Sequence, residues 1–246
     1  MAIHDFTAQR LFVDHPLAAG ARIVCTPEQA SYLRGVLRLG SGDEILIFNG
    51  RDGEWRARLE EAGKRGAALE AVALVRPQSG GPDLHYIFAP LKRARLDYMV
   101  QKATEMGASR LVPVITRHTV AERVNLERMR ANAIEAAEQC GILRLPDVAE
   151  PIKLPHLIER WDASRTLIFC DEGAEQANPV SALTALSPGP LAVLIGPEGG
   201  FSPDERAMIR ALPQATAISL GPRIMRADTA AVAALAIVNA VLGDWR

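Results

Sequence analysis

The sequence predicts an α/β protein in which a helix-covered parallel sheet follows a small β-rich domain. Three observations predict it. The first 75 residues are short β-leaning segments broken by turn residues, and from residue 84 apolar runs alternate with helical periodicities. Between these two styles lies a stretch of turn formers without large apolar residues, Arg76-Pro77-Gln78-Ser79-Gly80-Gly81-Pro82-Asp83. A boundary placed there gives domains at 1–75 and 84–246. With 246 residues, 48% hydrophobic and 23% charged, the chain can build a sizeable core without staples.

In the first domain, residues 10–13, 21–25, 44–48, 54–59 and 67–75 read as strands, with Asn49-Gly50 and Asp52-Gly53 as turns, the pattern of a small barrel. One helix interrupts them. Its start is written in Thr26-Pro27-Glu28-Gln29, where threonine caps, proline takes the first helical position and glutamine closes a capping box. Helical spacing carries Leu33, Val36 and Leu37 inward and leaves Arg34 and Arg38 one turn apart on another face.

In the second domain, strands are expected at 84–89, 110–115, 166–170, 191–195 and 216–220. Helices are expected at 94–106, 126–139, 203–212 and 229–242, the third opened by a capping box in Ser202-Pro203-Asp204-Glu205. Leu126, Met129, Ala133 and Ala137 share one face of the second of these helices. Strands alternating with helices argue for a parallel sheet. The apolar run 230–242 is too short to span a bilayer and reads as a helix buried in the core or in a subunit interface, so no membrane association is expected.

The beginning, Met1-Ala2-Ile3-His4-Asp5-Phe6, shows no basic stretch leading into an apolar one, hence no signal peptide and an expected cytoplasmic location. Cys25, Cys140 and Cys170 are far apart and odd in number, which fits reduced thiols serving as packing. The five histidines lack metal-ligand spacing, so no metal is expected. A formal net charge of −1 gives no global attraction for polyanions. Local placement differs, because Lys92, Arg93, Arg95, Lys102, Arg110, Arg117, Arg123, Arg128 and Arg130 make residues 84–145 locally basic. That excess reads either as solvated helix faces or as an RNA surface.

Two loops carry the functional signal: Leu194-Ile195-Gly196-Pro197-Glu198-Gly199-Gly200 and Leu220-Gly221-Pro222-Arg223-Ile224-Met225-Arg226-Ala227-Asp228. Each follows an apolar strand and precedes a helix, and ligands of open parallel sheets collect outside the carboxyl ends of strands. Glycines let main-chain amides approach a ligand closely. The lysine and hydroxyl of a P-loop are missing, as are the dinucleotide fingerprint, the serine elbow and the zinc-protease helix. Glu198 can face a pocket or brace its loop. Asp228 or Thr229 can cap the last helix. Arg226 can hold a phosphate or a developing anion, or pair with Asp228 or Glu198.

These loops closely resemble those of the RsmE family of 16S ribosomal RNA uridine N3-methyltransferases, in the SPOUT superfamily. The resemblance continues, in family order, through Arg10-Leu11-Phe12-Val13, Val36-Leu37-Arg38, Phe48-Asn49-Gly50, Gln101-Lys102-Ala103-Thr104-Glu105-Met106-Gly107 and Ala137-Glu138-Gln139-Cys140-Gly141. It implies a PUA-like RNA-binding barrel followed by an α/β domain with a deep trefoil knot, dimerising through its knotted face. It also implies S-adenosylmethionine, held by Leu194, Ile195, Gly196, Pro197, Glu198, Gly199, Gly200, Leu220, Gly221, Ile224 and Met225, with Phe169 in a third wall. The partner implied is 16S ribosomal RNA within a small-subunit particle. The chain departs from the family pattern at Ala227 and Asp228, where threonine and glutamate are usual, and at Ile142, where a polar or basic residue is common.

Within that reading, Arg226 is the expected catalytic cation, stabilising the uracil anion that forms as N3 loses its proton. Arg10, Arg34 and Arg38 in the first domain and Lys92, Arg95 and Lys102 in the second are the expected phosphate contacts. No general base stands out. The alternative is a non-catalytic dimeric RNA-binding protein of the same fold.

Overall fold

A computed structural model of the chain describes residues 8–63, 66–92, 94–120, 123–171, 173–174 and 178–245. The first seven residues and Arg93 lie outside them. The chain divides into two compact units, Met1–Gly80 with Ala137–Leu145, and Gly81–Ala136 with Pro146–Arg246. Where the sequence reading runs one domain continuously from 84 to 246, the structure gives Ala137–Leu145 to the first unit.

The first unit is a five-stranded sheet of β1 (Arg10–Phe12), β2 (Arg22–Val24), β3 (Glu44–Phe48), β4 (Glu54–Ala62) and β5 (Gly66–Arg76). The strand order is β1-β3-β4-β5-β2, with β1 parallel to β3 and the other pairs antiparallel. Leu11, Ile23, Ile47, Leu59 and Leu69, the inward half of the strand alternation, fill its core together with Leu33 from the helical segment. Helix α1 (Pro27–Ser31) starts at the expected capping box, with Thr26 accepting from the Gln29 amide. It then widens into a π-helical turn, Tyr32–Val36, closed by the Leu37 amide donating to the Tyr32 carbonyl at 3.0 Å. The extra residue in that turn shifts the helical phase, so Val36, expected inside, is 67% exposed. Arg38 ends the passage in the left-handed region at φ 58°.

β5 runs on through Arg76, into the stretch read as a linker, because Arg76 has a partner. Its guanidinium donates to Glu54 at 2.7 Å and to the Gly141 carbonyl at 2.9 Å. Arg10, expected at the RNA surface, is buried instead and donates to the same carboxylate at 2.9 Å. Burial alone would raise the Glu54 pKa, yet the hydrogen bonds and charges of Arg76 and Arg10 hold it below the ordinary value.

The second unit alternates strands and helices: β6 (Leu84–Phe88), α2 (Ala94–Glu105), β7 (Arg110–Ile115), α3 (Leu126–Cys140), β8 (Asp147–Val148), β9 (Ile152–Lys153) and α4 (Leu154–Glu159). β10 (Thr166–Cys170), α5 (Pro179–Thr184), β11 (Leu191–Ile195), α6 (Pro203–Arg210), β12 (Ala215–Ile218) and α7 (Ala227–Val241) complete it. The sheet order is β12-β10-β11-β6-β7-β8, with β9 beside β7, and every pairing is parallel. Both faces are covered. Tyr86, Val193, Ile168 and Met99 pack with α7 on one face, while Ile87, Leu194, Phe169 and Ile209 pack on the other. α7 buries Ala231, Ala234, Leu235 and Val238, as its alanine-rich apolar sequence requires. No helix among the described residues is long and apolar enough to cross a membrane.

Candidate active site

Parallel strands aim their carboxyl ends at one edge of the sheet. From β6 the chain adds β7 and β8 outward on one side, then returns to place β10, β12 and β11 on the other. The loops after β6, β11, β10 and β12 therefore emerge side by side at a point where the build direction reverses, the crevice in which open α/β sheets hold ligands.

The loop after β11 is tightly framed. A Cβ on Gly196 would stand 2.7 Å from a ring carbon of Phe201, so glycine is what lets that ring fold back. Phe201 meets Phe169 edge to face, with centroids 5.3 Å apart. Phe169, expected to line the cofactor, is fully buried and acts here by supporting Phe201. The Gly200 amide donates to the Pro197 carbonyl at 2.9 Å, and Gly200 takes φ 68° to close that turn. Ser202 then caps α6 in the expected box, accepting from the Glu205 amide at 3.3 Å. Glu205 accepts from the Ser202 amide at 3.0 Å and from the Arg117 amide at 2.7 Å, tying the cap to the loop after β7. From that same loop, His118 Nδ1 lies 3.2 and 3.0 Å from the carbonyl oxygens of Gly199 and Gly200. Glu198 is exposed and pairs with Arg95 at 3.3 Å.

Leu194 and Ile195 point to opposite faces of the sheet and are buried, so what they offer a ligand is main chain. After β12, Gly221 takes φ 106° and leads into Pro222, Arg223 and Ile224, all exposed. Ile224 is 103% exposed, an apolar side chain standing clear of the fold. Leu220 and Met225 are half-buried. Arg226 is the N-cap residue of α7, in extended conformation with no side-chain capping bond. This corrects the expectation that Asp228 or Thr229 holds the cap position; Asp228 sits in the first turn and accepts from the Thr229 amide at 2.8 Å. Glu198 is taken by Arg95 and Asp228 by a backbone amide, and among the described residues no ion pair holds Arg223 or Arg226. Their charges are free to meet something else.

The third loop begins at Asp171, a buried carboxylate invisible to motif reading. It accepts from Arg210 at 2.7 Å and from the Gly173 amide at 3.0 Å, and pairs with Arg206 at 3.1 Å. Two guanidiniums of α6 thus pin the end of β10 beneath the crevice. Burial pushes the neighbouring Cys170 thiol up to about 12, so it is inert at neutral pH.

Of the other expected contacts, Arg34 is half-buried and Arg38 exposed, and neither pairs with Glu28. The same helical segment borders a groove of about 510 Å³ lined by Pro27, Glu28, Ser31, Tyr32 and Val36. Lys92 is exposed. Lys102 is held by Glu105 at 2.7 Å and lies over the Tyr98 ring at 5.6 Å. No group of three metal-ligating side chains occurs among the described residues.

A parallel sheet with its glycine-bearing loops at one edge, preceded along the chain by a separate β domain, defines a class, and comparison with known proteins agrees with it. Residues 79–239 match the family model of the RNA methyltransferase domain, and residues 26–72 match that of the RNA methyltransferase PUA domain. Ribosomal RNA small subunit methyltransferase E of Synechocystis is 31% identical over 96% of this chain and 78% of its own. The Rickettsia conorii protein of the same name is 29% identical over 94% of each chain. Among solved structures, Lpg2936 from Legionella pneumophila, in complex with the bound cofactor S-adenosylmethionine, superposes with TM-score 0.84 at 25% identity, covering 96% and 99% of the two chains. The Neisseria gonorrhoeae methyltransferase E shares the fold, with TM-score 0.86 at 24% identity over 97% and 100%. The chain belongs to the ribosomal RNA small subunit methyltransferase E family.

Proposed function

We propose that this S-adenosylmethionine-dependent ribosomal RNA methyltransferase adds its methyl group to N3 of one uridine in 16S RNA, acting as a cytoplasmic homodimer on a small-subunit particle. The observation that carries the reading is Arg226 at the end of the second loop, which no ion pair holds among the described residues, on the same carboxyl edge of the sheet as the glycine loop after β11. The residues fit the cofactor. Main-chain groups from Ile195 to Gly200 and from Leu220 to Met225 suit hydrogen bonding to an adenosine, Ile224 offers an unused apolar surface, and the nearby Glu198 is no obstacle to a sulfonium cation. Bound there, the cofactor supplies an electrophilic methyl group, and the remaining task is placement and charge.

Arg226 supplies that charge. Uracil N3 is weakly acidic, and as its proton leaves, negative charge spreads to the flanking carbonyl oxygens. A guanidinium held at a helix start meets it without first breaking an ion pair. Arg34, Arg38, Lys92 and Arg95 place the RNA through phosphates, which position without reading sequence.

Reverse transcription across 16S RNA tests the reading, because an N3 methyl blocks pairing and stops the polymerase. A single stop lost on deletion and restored by the wild-type gene is the expected result. Calorimetry separates it from the non-catalytic alternative, which predicts no heat with millimolar S-adenosylmethionine.

A further inference from the structure

We propose that His118 is the general base that removes the N3 proton, an assignment that rests on the uridine N3 reading. The ring is fixed by its partners. Nδ1 faces two carbonyl oxygens, Gly199 at 3.2 Å and Gly200 at 3.0 Å, and a carbonyl oxygen only accepts. The proton of the neutral ring therefore resides on Nδ1, which leaves the lone pair on Nε2. One side chain thus does two things: its Nδ1–H clamps the glycine loop, and its Nε2 is a proton acceptor held at that loop.

Placement supports the role. His118 is exposed, on the loop after β7, and its own backbone is steadied by the neighbouring Arg117 amide donating to buried Glu205. A Cβ on Gly199 would lie 3.3 Å from the His118 Cβ, so the ring rests directly on the loop that flanks the methyl donor. The charged groups on the elements packed against it are Arg117 and Arg123 on its own loop, Glu198 with its partner Arg95, and Asp204, Glu205, Arg206 and Arg210 on α6, the last two paired with Asp171. Cys170 is held as a thiol by burial, Asp171 is taken by two arginines, Glu205 by two backbone amides and Glu198 by Arg95, while Asp228 accepts from the Thr229 amide in the first turn of α7. Imidazole is also the commonest general base at neutral pH.

The step balances. The N3–H bond breaks and its proton goes to Nε2, making an imidazolium. The N3 lone pair takes the methyl group, and the electrons of the broken carbon–sulfur bond return to sulfur, leaving a neutral thioether.

The test compares wild type with His118→Asn, whose amide N–H overlays Nδ1–H and keeps the clamp while removing the base. We expect S-adenosylmethionine affinity by calorimetry to stay within about twofold. We expect the methylation rate at neutral pH to fall about 10²–10⁴-fold, with the rate rising steadily with pH in place of the wild-type plateau. Nitrogen-15 NMR of histidine-labelled wild type should show the neutral ring of His118 protonated at Nδ1. A wild-type rate and pH profile in His118→Asn, or a ring protonated at Nε2, overturns the assignment while leaving the N3 reading intact. A wild-type product other than 3-methyluridine overturns both, and nucleoside analysis of the methylated RNA distinguishes that case.

Discussion

Arg10 and Arg76 in the first unit and Arg223 and Arg226 in the second are the same chemical group under opposite conditions. The first pair converges on Glu54, 2.9 and 2.7 Å from its oxygens, inside the fold. The second pair stands on a loop with no carboxylate attached. A buried pair is costly to break because the survivor is left charged and dry, whereas a free surface guanidinium contributes little to folding and remains available to an incoming anion. Burial and partner, more than residue type, separate a structural arginine from a chemical one.

Single substitutions put that contrast to the test. Glu54→Ala should have the largest effect, lowering unfolding free energy by about 3–5 kcal/mol in a denaturant titration, since two guanidiniums lose the acceptor they share. Arg226→Ala should leave the melting temperature unchanged while reducing methylation of subunit RNA by about 10²–10³-fold. A wild-type rate would place Arg226 with the surface charges that do nothing measurable.

The second unit has an inward titratable group of its own, at His85. Burial first, then the Arg165 charge, holds this ring down to about 4 from an ordinary 6.5. The folded state therefore binds fewer protons than the unfolded chain between those values. Its stabilising contribution is present above pH about 6.5 and is lost as pH falls toward about 4. The depressed Glu54 pKa acts in the same direction at lower pH. His85→Gln should flatten the upper part of this acid limb in melting temperature against pH.

Tyr86 extends the contrast to a neutral group. Its hydroxyl is buried and finds no hydrogen-bond partner among the described residues, so Tyr86→Phe should hold or raise stability, by up to about 1 kcal/mol. Smallest of all, Arg34→Ala and Arg38→Ala should each reduce the salt slope of RNA binding by about one unit or less, with no change in melting temperature. An unchanged slope for both would remove the groove beside Tyr32 from the RNA surface.

Local codes are legible in the sequence, and distant partnerships are not. The capping boxes at Thr26 and Ser202 are confined to four residues each and form as read. Strands β10 and β11 have the bounds that their apolar runs indicate. Elements without periodicity escape such a reading: β8 and β9 are two residues each, and α4 and α5 are six residues each, though Asn178-Pro179 is a cap signal that could have revealed α5. Val36 lies outside, against its spacing, because a π turn cannot be told from an α turn by spacing. Arg10 lies inside because it finds an acceptor 44 residues away. In the site, the glycine loops are visible as composition, while His118 and Asp171 become visible only once the parallel sheet brings separate strand ends together.

The first unit is discontinuous along the chain. Phe48 packs with Ala137 and Leu143, the Phe12 amide donates to Glu138 at 2.8 Å, and Arg76 reaches the Gly141 carbonyl. During synthesis this unit cannot complete itself when its last strand leaves the ribosome. Its closing contacts must wait for the segment Gly81–Ala136, which belongs to the other unit, so the domain that begins first is not free to finish first. A nascent chain arrested before Ala137 should accordingly be more sensitive to protease within β1 and β5 than one arrested after Leu145.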